Sequence, residues 1–497
     1  MPLGLLGSHH GYERSVPVVR SSRRAGPSYE GRFDVVVVGG GVVGAAIASR
    51  LAQTTGRVCL VERNGDVAEE ASKGNAGVAT SYYAGPGTLD ARLMAATHPR
   101  WEDVCSRLDV PYRRLGGLIV SLTEEEEAQL PSKLEEARSC GVPAEIITGT
   151  RAREMEPLIS PDCRAALWLP TDGIIDPMRL TIAFAELAVI NGATIQFGSP
   201  VIGFEFAGAS LGAVRTPTQV IEARFVVNAA GLSLGTISSL AGGEAFKIWP
   251  RKGEYWVLDR EFGSRLKHIV FATPLPDSKG IHVIPTTNGT ALLGPSAEDN
   301  NRPYDKDTDS PTLNYVFERG RRLVPSVSLD FAIKSYAAIR PASDETVRVK
   351  LDPTVPNLVH AGNRSTGVST SLGIADMVLK LLNEAGLDAI DRTNAADSVP
   401  AVPRLFGNLS PERLTEIDSR YGQIICVCEQ VSAAEIARSL ASPVPARSLE
   451  AIRKRTRATG GRCQGAVCLA GVAFMCSLAT GTAPGDLEMA DDGRIGA

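Results

Sequence analysis

No apolar run in the 497-residue sequence approaches the roughly 20 residues that a membrane-spanning helix requires. The stretch 469–478 is too short and sits beside cysteines. A charge excess is missing too: 52 basic residues against 56 acidic ones leave a net charge of −4, which removes the basic field that nucleic-acid binding draws on. There is no secretory apolar core, no internal repeat and no low-complexity tract beyond Glu124–Glu127, which reads as a solvated helix start. Residues 1–32 carry His9, His10, Arg20, Arg23 and Arg24 without periodicity and read as a disordered tail. Glu13 and Glu30 oppose a transit peptide, so cytoplasm is the expected compartment, with peripheral membrane association only through a partner.

A disulfide framework is equally absent. Of nine cysteines, Cys59, Cys105, Cys140, Cys163 and Cys476 share no spacing and read as inert thiols. The others form one quartet, Cys426-x-Cys428 and Cys463-x4-Cys468, and an odd total with one tight quartet suits a metal site in a reducing compartment. Four thiols are the ligand count of a [2Fe–2S] cluster and also of structural zinc, although a C-x-C pair serves one tetrahedral ion poorly. Cys468 is expected on a helix running to about Ala479, with Cys463 just before its start, where a helix N-terminus favours thiolates. The basic run Arg453-Lys454-Arg455-x-Arg457 reads as a solvated helix face.

What is present begins with Phe33–Val38 (FDVVVV), a continuous β-branched run of the kind that is buried on both faces of a parallel sheet. Gly39 to Gly41 interrupt it, Val42–Ala52 has helical character, and 57–62 (RVCLVE) reads as a second strand. Further apolar runs lie at 225–231 and 355–362, the latter followed by a helical pattern at 371–382. Between them, 253–258 and 281–293, with a turn at Asn288-Gly289, show strand–turn alternation. The expected fold class is α/β: a Rossmann-like dinucleotide domain interleaved with a mostly antiparallel substrate domain. The expected divisions are a tail over 1–32, the interleaved body over 33–390, a linker over 391–418, a small helical cysteine-bearing module over 419–480 and a tail over 481–497.

Gly39-x-Gly41-x-x-Gly44 falls between the first strand and helix, where glycines permit a tight turn, close approach of a pyrophosphate and close helix–strand packing. Glu62 closes the second strand, placed to accept from ribose hydroxyls and to repel a 2′-phosphate. The small polar loop 71–76 (ASKGNA) and the late Gly362-Asn363-Arg364-Ser365-Thr366-Gly367 turn supply contacts from distant parts of the chain, which a long flavin needs and a simple NAD site does not. FAD is therefore the expected dinucleotide. Its expected contacts are Gly39, Gly41, Gly44, Glu62, Arg63, Ser72, Asn75, Ala76, Gly77, Val201, Ala230, Gly231, Gly362, Gly367, Val368 and Ser369.

The segments DVVVVGGGVVG, SKGNAGVATSYYAGPGTLDARL, RFVVNAAGL, PRKGEYWVLD, SKGIHVIPT, LLGPSAED and AAIRP together resemble the glycine- and D-amino-acid-oxidase superfamily. Within it the chain is most similar to FAD-dependent glycerol-3-phosphate dehydrogenases and their 2-hydroxyglutarate dehydrogenase relatives, from about Phe33 to Leu382. CVCEQVSAAEI with KRTRATGGRCQGAVC resembles the bacterioferritin-associated-ferredoxin type of [2Fe–2S] domain, which implies cluster ligands Cys426, Cys428, Cys463 and Cys468. The resemblance implies a dehydrogenase passing electrons from a small anionic alcohol to FAD, to the cluster, and on to a partner subunit or quinone. It also implies Arg340 as substrate anchor and His282 at the substrate hydroxyl; Lys252, Tyr255 and Lys279 are further cavity candidates read from the sequence itself. Glycerol-3-phosphate dehydrogenases usually carry an arginine soon after the flavin-contacting loop, whereas residues 78–83 (VATSYY) hold no basic residue. The hydroxyglutarate branch usually has histidine where Thr80 stands. The alternatives to glycerol 3-phosphate oxidation are therefore oxidation of a 2-hydroxy acid, oxidation of an amine or amino acid, and a non-catalytic role in electron transfer.

Overall fold

A computed structural model describes residues 32–487 apart from 84, 275–279, 345–346, 406 and 408. Phe33–Val38 runs through the middle of a parallel sheet, paired with Val58–Val61 on one side and Val220–Asn228 on the other. Thr194–Gln196 extends the sheet beyond Val58–Val61, and Leu358–Asn363 pairs in parallel with Val220–Asn228. Both faces of this sheet are covered. Val35 and Val37 pack under the helices Val42–Ala52, Pro177–Ile190 and Gly367–Glu384, while Val36 and Val38 pack against Leu211, Ile221 and Ile237. That double burial is why β-branched residues occupy successive positions instead of alternating with polar ones.

Among the described residues the second large sheet is built around Trp249–Leu258, which pairs antiparallel with Ala332–Ala342 and with Ala291–Gly294. It continues through His282–Pro285, Ile269–Ala272, Gly117–Ser121, Ala165–Leu169 and Glu145–Thr148, with one parallel contact, between Ile269–Ala272 and Gly117–Ser121. The expected turn joins His282–Pro285 to Ala291–Gly294, with Gly289 at φ +89°. The fold class is the expected one, a dinucleotide-type sheet interleaved with a mostly antiparallel partner.

Beyond the helix Gly367–Glu384 the chain is pinned across the first domain: Arg392 Nη2 donates to Ala52 O at 2.6 Å, and Arg404 pairs with Asp109 at 3.1 Å. The helices Ala433–Leu440, Leu449–Thr456 and Leu469–Thr480, with the hairpin Ile424–Cys426 and Val431–Ser432, then enclose a separate core that includes Cys426, Cys468 and Cys476. No described helix is long and apolar enough to cross a membrane. One expectation fails here. The basic run is not a solvated face: Lys454 is fully buried and Arg455 nearly so, because Leu449–Thr456 packs onto the dinucleotide domain and meets Asp66 and Glu69 there.

Candidate functional site

The dinucleotide turn is built by close approach. Gly39 takes φ +108°, and a Cβ on Gly44 would lie 1.9 Å from Gly39 O, so the helix starting at Val42 sits closer to the strand than any side chain allows. Glu62 Oε2 accepts from Gly40 N at 2.6 Å, and Oε1 from Asn64 N at 2.8 Å. Burial pushes this carboxyl above its ordinary value, and the backbone donors of Asn64 and Gly40 oppose the rise. The turn opens into a cavity of about 1060 Å³.

Of the expected cofactor contacts, Gly39, Gly41, Glu62 and Arg63 line the cavity at this end, and Ser72, Asn75 and Ala76 line it along the polar loop. Val201, Ala230 and Gly231 form a further wall, and Gly367, Val368 and Ser369 close it from the late helix. Gly44, Gly77 and Gly362 do not line it; they are packing contacts against Gly39, Ile175 and Leu234 respectively. Gly41 and Thr366 start their two helices without a side-chain cap, so two helix N-termini face one cavity, an arrangement that suits a diphosphate. The residues present fit an extended dinucleotide.

The opposite end of the same cavity is lined by Tyr255, His282, Arg340 and Phe271. Lys252 is not part of it: it is buried beside Glu254, 3.1 Å away. Lys279 lies outside the described residues. His282 Nδ1 accepts from Ala272 N at 3.2 Å, so the proton of the neutral ring is assigned to Nε2, and the ring stands edge-on to Phe271 at 5.1 Å. Burial lowers the pKa of Arg340, and no described carboxylate forms an ion pair with it. Arg251 and Arg364 line the same cavity, and both act electrostatically on Arg340.

Two features of this end had no local signal. Arg251 lies in the PRKGEYW segment and joins Arg340 only through strand pairing. Asp172 is fully buried on the cavity wall, where Oδ1 accepts from Ser81 N at 2.7 Å and Ser81 Oγ at 2.6 Å. Burial pushes its carboxyl up to about 6 against these donors.

The four cysteines come together as two close pairs: Cys428 with Cys463, and Cys426 with Cys468. Among the described residues no three ligating side chains converge on one point. Cys426 also acts electrostatically on Cys428, and Cys463 on Cys468, so the four thiols form one group, whose C-x-C pair suits one tetrahedral zinc poorly and a two-iron cluster well. The backbone around them is bent to serve the sulfurs. Gln464 and Gly465 take φ of +48° and +90°, and backbone N–H groups of Val467 and Gly465 lower the pKa of the Cys463 thiol together with Cys428. Of the remaining cysteines Cys59, Cys105, Cys163 and Cys476 are buried, and Cys140 is half-buried.

The family model for FAD dependent oxidoreductases matches residues 34–381, and that for the BFD-like [2Fe-2S] binding domain matches residues 424–474. A glycerol 3-phosphate dehydrogenase of Caloramator mitchellensis is 33% identical over 443 residues, 88% of this chain and 92% of that protein. A subunit of the anaerobic glycerol-3-phosphate dehydrogenase of Escherichia coli K12 is 28% identical over 485 residues, 88% of this chain and 86% of its own. The dithionite-reduced L-alpha-glycerophosphate oxidase of Mycoplasma pneumoniae with FAD bound superposes with a TM-score of 0.70 at 25% identity, covering 75% of this chain and 99% of that one.

Proposed function

Because the chain belongs to the FAD dependent oxidoreductase family and carries a BFD-like [2Fe-2S] binding domain, we propose that it is a glycerol 3-phosphate dehydrogenase delivering electrons through the cluster to a partner subunit or quinone. The observation that carries the substrate is the set Arg251, Arg340 and Arg364 on one cavity. Asp299 offsets Arg251 through bonds of 2.5 and 2.7 Å, which leaves two guanidinium groups for a ligand. That charge suits a phosphate dianion better than a single carboxylate. It also supplies from other segments of the chain the basic residue that residues 78–83 lack.

Bound FAD supplies the hydride acceptor, and the cysteine-held cluster supplies one-electron transfer. The chain's own residues do the positioning. Arg340 forks onto the anion, and His282, with Nδ1 held by Ala272 N–H, turns its Nε2 edge to the substrate hydroxyl. Tyr255, Phe271 and Ile284 wall the reacting end against water. That the E. coli relative is one subunit of its enzyme supports a partner protein as the electron acceptor. An anaerobic visible spectrum tests the reading: glycerol 3-phosphate is expected to bleach the flavin bands. Bleaching by 2-hydroxyglutarate alone would reassign the substrate to a carboxylate.

A further inference from the structure

Residues 64–76 link the second strand of the dinucleotide domain to the segment along the flavin cavity. They touch the glycine turn twice: Ala68 N donates to Gly40 O at 3.0 Å, and Ser72 Oγ accepts from Val42 N at 2.9 Å. Glu70, Ser72 and Asn75 of this loop line the cavity. The same loop is gripped by the helix Leu449–Thr456 of the cysteine-bearing domain, 385 residues further along the chain. Lys454 Nζ donates to Val67 O at 2.6 Å, pairs with Asp66 at 2.8 Å and also bonds Glu69. Arg455 forks onto Asp66 at 2.6 and 3.0 Å. Lys73 bonds Glu69 at 2.8 Å and reaches Glu450 at 3.7 Å, which closes the network.

All four central side chains are at most 6% exposed. An ion network this dry recovers little more than its desolvation cost, so net stability is a weak reason for it. Unique geometry is what it supplies. Neither Lys454 nor Arg455 lines the cavity, so they act on the cofactor only through the loop they hold.

We propose that Lys454 and Arg455 are positioning residues for the flavin, clasping the 64–76 loop so that FAD retention depends on the cysteine-bearing domain. The small core of that domain contains cluster ligands, so cluster binding and domain order stabilise each other. Loading of the two cofactors is then linked, and the linkage is reciprocal. The inference needs both cofactors but no particular substrate.

The test uses the full-length protein with both cofactors, following FAD release by flavin fluorescence and the cluster by its visible and EPR signatures. Lys454→Met is expected to keep the cluster signature and raise the FAD dissociation constant roughly tenfold or more. Anaerobic removal of the cluster from the unmutated protein is expected to weaken FAD similarly, with little further effect in Lys454→Met. The triple variant D66N/K454M/R455M leaves Glu69 paired with Lys73 and no buried charge without a partner, and it is expected to release FAD just as readily if the single variant does not fold. An FAD constant within about twofold of the unmutated protein's in the triple variant overturns the clasp, as does a cluster-removal effect of equal size with and without Lys454. No substrate is added, so a failure of glycerol 3-phosphate to react leaves this result standing.

Discussion

Arg251 and Arg340 stand directly opposite each other in the antiparallel pair of Trp249–Leu258 and Ala332–Ala342. Opposed residues share a face of the sheet, so two guanidinium groups enter one cavity from neighbouring strands. Like charges in that relationship repel. Asp299 bonds Arg251 directly and acts on Arg340 only at longer range, and burial disfavours the charge on Arg340 further. An anionic ligand relieves both penalties.

Arg340→Met is therefore expected to lower kcat/KM for glycerol 3-phosphate by about two to three orders of magnitude, the effect of roughly 3–4 kcal/mol from losing a buried charged contact. Arg251→Met is expected to act more mildly and mainly on KM, because Asp299 already shares its charge. Steady-state kinetics on both variants checks this. Unchanged parameters for Arg340→Met would place the anion elsewhere.

Asp172 gives a pH signature. Its native carboxyl titrates near about 6, against an ordinary value of 3.8, because burial outweighs the donors Ser81 and Thr80. Between those values the native state holds a proton that the unfolded chain has released, so stability falls as pH rises through this window and the deficit persists above it. Asp172→Asn is expected to flatten that slope in thermal melts taken from about pH 4.5 to about pH 7. A slope that survives the substitution belongs to another group.

Cys426→Ser and Cys468→Ser each remove one sulfur from the same close pair. Both are expected to abolish the cluster's EPR signal. With FAD in excess, substrate is expected still to bleach the flavin once, while turnover with an external one-electron acceptor collapses. Normal turnover in either variant would show that electrons leave by a route other than the cysteines.

Gly44→Ala puts a methyl group where 1.9 Å separates it from Gly39 O. The helix must move off the strand, at a cost of about 3 kcal/mol. The variant is expected to melt earlier and to purify with little flavin. Retention of FAD at the unmutated melting temperature would mean that the turn tolerates a wider spacing.

Features that depend on neighbours in the chain were legible from the sequence alone. The glycine turn, its flanking strand and helix, Glu62 at the strand end and the cysteine quartet all rest on local spacing, because turn geometry and side-chain periodicity act over a few residues. The interleaving of two sheets was legible in outline for the same reason. Tertiary structure alone decided the contacts between distant segments. Arg251 meets Arg340 through strand register, Asp172 reaches the cavity wall to hold Ser81, and Lys454 lies buried against Asp66 and Glu69. A lysine within a basic helical run carries no local mark of burial. Its desolvation becomes tolerable only when carboxylates hundreds of residues away fold against it, and no local pattern records that juxtaposition.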